Sequence, residues 1–429
     1  MASFSIPLTG LNADSTALNT IANDLSNMNT TAFKSQSTNF SDLFYQQIGS
    51  TGSGDPIQVG AGVQVSANET DYAQGSINST ANPTDVALNG SGFFVVANGS
   101  GGNEYSRAGN FSLTSNGDLV TANGLSVMGY PAVNGVVNTN SPLTAINIPV
   151  GQVQQPQATT TLNMTANLDA TASQGTIFPA QVTVYDSLGT PHIATVTYAQ
   201  QGNNSWSYSA ALPSADFASG ISTPVTGTLT FDSSGNLNSV TQTTPVAAGP
   251  TPVGTAAGDI STIPLGFAGL TDGAADLNMN WNLLGVDGTA SIGQVDATSA
   301  VNSTLQNGYG PGQYQSFSIG SDGTVTVTYS NFQKENVGQV ALASVTNEQG
   351  LQMLGNGDYA TTLASGTASI STSGTAGLGT LQDGALEGSN VNISAEFSNL
   401  IIAQRAFEAN SKAVTTFDTV TQETINMIH

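Results

Sequence analysis

Apolar residues follow two rhythms along this chain, and the rhythm changes near both ends. From Pro7 to Met28 the side chains Leu11, Leu18, Ile21, Leu25 and Met28 recur at alternating seven-, three- and four-residue spacings. That spacing predicts an amphipathic helix with coiled-coil character. Asp14 interrupts its seam and Asn29-Thr30-Thr31 ends it. Near the other end Ile393, Phe397, Leu400, Phe407 and Val414 keep heptad spacing, and Phe417, Val420, Ile425 and Ile428 extend the apolar side. Gln404 and Ser411 are polar interruptions in this second seam, and Asn392 or Ser394 can cap the helix, with Glu396 placed to suit its N-terminal dipole.

Between these helices the period drops to two, the signature of strands. Residues 86–96 and 105–130 alternate apolar and polar side chains and are punctuated by glycines. A second β block begins at Gln181-Val182-Thr183-Val184-Tyr185 and runs through Phe231-Asp232-Ser233-Ser234-Gly235. Stretches rich in Pro, Gly, Ala and Thr at 171–176 and 245–258 read as loops or linkers within it. A third block, Thr324–Tyr329 and Gly338–Val345, resumes the style of the first.

Magnitudes say the terminal helices need partners. Burying the five large apolar side chains of the first helix yields roughly 1.5–3 kcal/mol each. Ordering its residues costs roughly 1–2 kcal/mol apiece in backbone entropy, which burial alone does not offset. The second helix is the obvious partner surface, and the ends are expected to be poorly ordered until they find one.

Composition sharpens this picture. Charged residues are only 8% of the 429, against 38% hydrophobic and 48 glycines, which suits many short strands better than Lys- and Glu-coated helices. Five Lys and Arg face 28 Asp and Glu, a formal net charge of -23. The five cations, Lys34, Arg107, Lys334, Arg405 and Lys412, form no patch, which argues against nucleic-acid binding. The acidity reads as solubility and self-repulsion. With no cysteine, disulfides and thiolate metal sites are excluded. Neither a cleavable signal peptide nor a stretch able to cross a bilayer is evident, and the first helix lacks the basic face of a membrane-surface helix.

Candidate chemistry is thin. His192, beside Pro191, reads as a turn histidine, and no histidine or cysteine partner stands at metal-ligand spacing. Asp85, Asp186 and Asp232 sit in turn-like segments, where bonding to local backbone explains them better than paired-carboxylate hydrolysis. No catalytic, cofactor-binding or metal residue is assigned, no cofactor is expected, and the chain is read as not an enzyme. Arg107 and Arg405 stand out because cations are scarce; each is either a structural contact or an ordinary exposed cation.

Four motifs carry a family resemblance. The segment Ile21-Ala22-Asn23-Asp24-Leu25-Ser26-Asn27-Met28-Asn29-Thr30-Thr31-Ala32-Phe33-Lys34 resembles the opening signature of the rod and hook family of bacterial flagellar axial proteins. It departs at Asp24, Ser26 and Ala32, where that pattern has Asn, Ala and Gly; Ala32 puts a Cβ in a turn that needs φ > 0. Asn82-Pro83-Thr84-Asp85-Val86-Ala87-Leu88-Asn89-Gly90-Ser91-Gly92-Phe93-Phe94 and Tyr105-Ser106-Arg107-Ala108-Gly109-Asn110-Phe111 are similar to the family's core β signature. Tyr329-Ser330-Asn331, Gly338–Ala343 and Gly350-Leu351 resemble its return strands, and Leu386-Glu387-Gly388-Ser389-Asn390-Val391, Gln404-Arg405 and Asn410 its C-terminal signature.

The large middle insertion, with Val182–Gly189 and Trp206 similar to an outer hook domain, points within that family to the hook. The resemblance implies an α+β chain in which paired, coiled-coil-like terminal helices enclose discontinuous, mostly β domains. Residues 1–30 and 386–429 form the helical assembly domain, 31–69 and 366–385 extended connecting segments, 70–145 and 303–365 an inner β-rich domain, and 146–302 an outer inserted one. It further implies a structural subunit that self-assembles into a flexible curved tube coupling rod to filament and transmitting torque. Partners would be other copies of the chain, the distal rod protein, the hook cap protein, the hook–filament junction protein and the flagellar type III export apparatus. There would be no nucleic acid and no membrane insertion, and the location would be the flagellum outside the cell, reached without a cleaved signal peptide. Another axial subunit, from the distal rod or the hook–filament junction, is the nearest alternative; a secreted β-rich adhesin or glycan-binding protein is a more distant one.

Overall fold

A computed structural model describes residues 5–97, 102–243, 261–285 and 287–427. The linker expected at 245–258 and Ile428 lie outside the described residues. The chain is α+β: one helix near each end, α1 (Ser5–Ser26) and α2 (Ile393–Met427), and β-strands between them. It forms two compact units. One comprises Met1–Val150, Ser316–Thr328 and Lys334–His429; the other comprises Gly151–Gln315 and Tyr329–Gln333.

In the first unit α1 is followed by β1 (Gln36–Asp42), which pairs antiparallel with Val63–Thr70 in the register Gln36↔Thr70 to Asp42↔Val63. The central strand of the main sheet is Lys334–Ser344, which pairs antiparallel with Ser126–Val133, Phe93–Ala97, Thr324–Tyr329 and Ser369–Thr372. Such a strand is covered on both faces, which is why Gly338–Ala343 is buried throughout instead of alternating. Phe93, Val95, Tyr105, Tyr130, Ala341, Ala343, Leu351 and Tyr359 form one core cluster there. Late in the chain Thr380–Asp383 pairs with Val86–Asn89, and Ala385–Glu387 pairs with Ile77–Ser79. These two short ladders bring the C-terminal segment back beside the N-terminal one.

The second unit has an antiparallel meander of five strands, Ile177–Tyr185, Pro191–Gly202, Ser205–Ala211, Val225–Phe231 and Leu237–Gln242. A second sheet of five strands mixes parallel and antiparallel pairs around Thr161–Asp169. The strict burial alternation of Ser205–Ala211 and Val225–Phe231 turns one face of the meander inward. Trp206, Tyr198 and Tyr208 from it share a core with Trp281 and Met279 from the other sheet. This unit extends beyond the 146–302 expected from sequence. Ala300–Gln306 pairs with Thr161–Asp169, and Gly312 and Gln313 pair with Gln154 and Val153, so the returning strand belongs with the unit it leaves.

One local conformation stands out between α1 and β1. Ala32 is buried and has φ 54, a left-handed conformation that costs a residue with a Cβ roughly 1–2 kcal/mol. Ala32→Gly relieves that strain but loses roughly 0.8 kcal/mol of methyl burial and gains chain entropy in the unfolded state. These opposing terms predict a change in unfolding free energy within about 1 kcal/mol of zero for Ala32→Gly. Ala32→Val should instead destabilise by more than about 2 kcal/mol, because a β-branched side chain is a genuine outlier at positive φ. Urea unfolding of both variants checks the contrast; equal effects would show that φ at this position is not limiting.

Candidate functional site: the paired terminal helices and their buried anchor

The two helices lie against each other through small and polar residues. Pro7, Gly10, Ala13, Thr20, Ile21 and Asp24 are buried on α1, and Ala403 is the buried residue among those described on α2. Gly10 marks the closest approach, since a Cβ built there would lie 2.7 Å from Nδ2 of Asn410. That same Asn410 amide donates to Oδ2 of Asp14 at 2.8 Å, so the acidic interruption of the seam has a partner. α2 starts where Asn392 Oδ1 accepts the N–H groups of Ser394 and Ala395 at 3.1 and 3.2 Å, an N-cap that fixes its first turn. An open groove of about 400 Å³ runs among Asp14, Thr20 and Ile21 of α1, Thr38 and Phe40 of β1, and Ile402 and Ala403 of α2.

Pairing by small residues leaves several large apolar side chains of α2 exposed. Of the stripe read from sequence, Ile21 is buried, Leu11, Leu18 and Leu25 are half-buried, and Met28 lies exposed just past the helix. On α2, Leu400 and Val414 are half-buried, whereas Ile393, Phe397 (53%) and Phe407 are exposed. Ile401 and Ile402, which the heptad reading passed over, are exposed as well. The covered face of each helix therefore combines small residues with part of the apolar stripe, while Ile393, Phe397, Ile401, Ile402 and Phe407 of α2 stay exposed.

Below the helices the N- and C-terminal segments are tied by a buried ion cluster. Glu387 accepts from Lys34 Nζ at 2.7 Å through one carboxylate oxygen and from Arg107 Nε at 2.9 Å through the other. The Gly75 N–H adds a third bond at 2.9 Å. Lys34 also donates to the Ala73 carbonyl at 2.8 Å, and the Arg107 guanidinium donates to the Gly92 and Gly90 carbonyls, each at 2.6 Å. Gly90 and Gly92 have φ 113 and 119, which turns their carbonyls toward Arg107 and excludes a Cβ. Asn390 makes a second tie, accepting from the Ser35 N–H and donating to the Asp71 and Ala73 carbonyls. Burial alone would raise the Glu387 carboxyl, but Arg107, Lys34 and the Gly75 N–H overcome it and hold it below its ordinary value. Burial lowers Lys34, with the Glu387 contact working against that shift. Arg405, by contrast, is exposed on α2.

In the second unit, the carboxylates flagged in turns bind local backbone. Asp232 Oδ1 accepts from Ser234 and Asn236, and Asp186 Oδ1 from Leu188 and Thr190. His192, read from sequence as a turn histidine, has carboxylates around it that lie far apart in sequence. Its Nδ1 lies 2.9 Å from Asp216 and its Nε2 lies 3.2 Å from Asp186, with Asp272 close by. Strand pairing and loop return assemble these residues across sequence distances that spacing rules do not cover. Burial would lower His192, but its bonds to Asp216 and Asp186 outweigh that and raise it above its ordinary value.

Comparison with known proteins decides what kind of assembly unit this is. The chain is 33% identical to the flagellar hook protein FlgE of Escherichia coli (strain K12), covering 99% of both chains. It is 34% identical to FlgE of Salmonella typhimurium (strain LT2), over 99% of this chain and 100% of that one. FlgE of Treponema pallidum (strain Nichols) is 34% identical over 98% of each. This chain belongs to the flagellar hook protein family. Residues 6–34 match the flagella basal body rod protein model, 87–168 the flagellar hook protein FlgE/F/G D1 domain, 152–309 the flagellar basal body protein FlaE D2 domain, and 382–427 the flagellar basal body rod FlgEFG protein C-terminal model. The crystal structure of Helicobacter pylori flagellar hook protein FlgE2 shares the fold, with a TM-score of 0.53 at 14% identity over 72% of this chain and all of that one.

Membership of the hook family makes this a structural subunit of the flagellar hook, in a family that is not one of enzymes. No described helix is long and apolar enough to cross a membrane. Lys34 and Glu387 were quoted within hook-family motifs without being singled out. The usable signal was the scarcity of cations, which makes any Lys or Arg inside a motif conspicuous.

The anchor makes a pH-dependent prediction. Glu387→Gln leaves two buried cations without their carboxylate, an arrangement that destabilises by roughly 3–5 kcal/mol. Because the folded carboxyl titrates below its ordinary value of 4.5, its stabilisation is present above about pH 4.5 and is lost as pH falls through the lower folded value. Chemical unfolding from pH 7 to pH 3 should therefore show a large wild-type advantage at neutral pH that shrinks in acid. A constant difference across that range would contradict the assignment.

Proposed function

We propose that this hook subunit polymerises with copies of itself through the apolar faces of α1 and α2 that intrachain pairing leaves exposed. The resulting tube would be flexible and curved, coupling rod to filament and transmitting torque. The observation that carries this reading is the outward display of Ile393, Phe397, Ile401, Ile402 and Phe407 on one helix, alongside half-buried Leu25 and Leu400. Such a concentration of apolar surface on a chain with formal net charge -23 calls for a covering partner. A second copy offers the same apolar stripe and, with so few charges, contacts that can shift between neighbours without breaking many ion pairs. The terminal helices would line the tube, the sheet of the first unit would surround them, and the second unit would face outward.

In this reading the end partners are the distal rod protein, the hook cap protein and the hook–filament junction protein. Delivery is through the flagellar type III export apparatus without a cleaved signal peptide, and the final location is outside the cell. Arg107 serves as a structural contact within the anchor, and Arg405 remains available on the helix surface.

Two measurements test the assembly. Leu25→Asp or Leu400→Asp puts an unpaired charge where neighbouring helices would close, at a cost of several kcal/mol. Electron microscopy under salting-out conditions should show tubes from wild type and none from either variant, while β-type circular dichroism is retained. Normal tube yield from both variants would remove the helices from the interface.

The second unit gives a separate expectation. Its two chain passages are paired, Val153↔Gln313 and Gln154↔Gly312, so a short Gly/Ser linker can replace Gly151–Gln315. The shortened chain should still form tubes, but straighter ones, since contacts between outer units are lost. Unchanged curvature would move its origin inward, and an insoluble product would make this unit part of the essential core.

A further inference from the structure

We propose that Asp24 is a proton-operated latch that seats the end of α1 on β1, closed when its carboxyl is neutral and loosened when it ionises. Asp24 lies in the last turns of α1, and its side chain is 0% exposed. Its Oδ2 accepts the Gln36 N–H, the first of β1, at 2.9 Å. Its Oδ1 is buried with no hydrogen-bond partner among the described residues. One turn earlier Thr20 Oγ1 accepts from Thr38 Oγ1 at 3.0 Å, so Thr20 and Asp24 form the polar face by which the helix meets the strand.

Nothing nearby balances a negative charge at this point. α1 carries no basic residue, and its other carboxylate, Asp14, is bonded to Asn410. β1 offers Gln36, Ser37 and Thr38 at this end and Asp42 at its far end, while its partner strand Val63–Thr70 carries only exposed Glu69. From α2 the facing charge is Glu396, which is repulsive. Lys34, two residues before Gln36, is committed to Glu387 and the Ala73 carbonyl. The C-terminal end of α1 adds the negative pole of the helix dipole. An ionised carboxylate with one unmet oxygen in such surroundings is expensive to keep buried, and a proton is the ligand that removes the problem.

Burial, with a smaller repulsion from Glu396 and an opposing contribution from the Gln36 N–H, pushes the Asp24 carboxyl up from 3.8 to about 6. A raised folded value contributes stability that is fully present below 3.8 and is lost as pH rises through about 6. Local opening of the α1–β1 junction should therefore grow by up to about a hundredfold between pH 4 and pH 7. The device acts within one chain and does not depend on the proposed polymer contacts.

Hydrogen exchange of the full chain, corrected for intrinsic rates, tests it on peptides covering 20–40, with the antiparallel hairpin of Gln46–Ser50 and Pro56–Val59 as an internal control. Wild type should open far more readily at pH 7.5 than at pH 4.5, and Asp24→Asn should be protected equally at both. Glu396→Gln, which keeps the carboxyl but removes the facing charge that raises it, should move the midpoint to lower pH and shrink the total change in opening between pH 4.5 and pH 7.5. Should Asp24→Asn not fold, that midpoint shift still decides. Wild-type exchange that ignores pH, an Asp24→Asn chain that follows the wild-type curve, or an unmoved midpoint in Glu396→Gln would each overturn the proposal.

Discussion

The first unit depends on holding together two chain segments that lie far apart in sequence, and Glu387 is where that happens. Its carboxylate meets Lys34 from 353 positions away and Arg107 from 280 positions away, all three nearly sealed from solvent. Buried charges of this kind are not cheap stability, because desolvation cancels much of their attraction. What they add is register. The ladder Ala385–Glu387 against Ile77–Ser79 is only three residues long, and an apolar strand so short could slip. Glu387 meets its cations, the Gly75 N–H and, through its carbonyl, the Ala32 N–H in one alignment only. Both helices emerge within a few residues of this point, so their relative placement inherits its precision.

Fixing the helices at their roots explains why their mutual contact can be modest. Gly10, Ala13 and Ala403 bring the backbones close without consuming large apolar side chains. Had Phe397 and Ile402 been spent on α1, the single chain would gain stability and lose the surface through which copies are proposed to join. The anchor and the small-residue contact thus divide the work: charge and backbone set the geometry, and the apolar stripe stays free. Hook-family membership fits a subunit whose internal and external contacts are kept on separate faces.

Much of this was legible in the sequence, for identifiable reasons. Seven-, three- and four-residue spacing located both helices, and alternation located strands such as Val182–Tyr185 and Thr324–Tyr329, because each period reports how one backbone meets one environment. What stayed hidden was non-local. Nothing in a periodic pattern says that Glu387 faces Lys34, or that Asp186, Asp216 and Asp272 gather around His192. Periodicity also marked the apolar stripe without saying whether the same chain covers it; only Gly10 and Ala403, small and unremarked, carry that answer. Ala300–Gln306 pairs backward onto Thr161–Asp169, a long-range return that no local pattern near its sequence position announces.

Charge scarcity links these observations. With five basic residues in the chain, two of them buried in the anchor, few cations remain to neutralise carboxylates elsewhere. The remaining carboxylates are handled in three ways. Asp232, Asp287 and Asp322 take backbone N–H groups in turns and are held below their ordinary value. Asp186 takes His192 together with the Leu188 and Thr190 N–H groups. Asp24, Asp358 and Asp383 are raised by burial without a cation to compensate. Asp24, Asp358 and Asp383 contribute most when protons are plentiful, whereas Glu387, Asp186 and the turn carboxylates contribute above their depressed values. A chain this poor in cations keeps two of them for the buried carboxylate of Glu387, gives backbone donors to the carboxylates in its turns, and at Asp24, Asp358 and Asp383 partly or fully buries carboxyls whose neutral form burial favours.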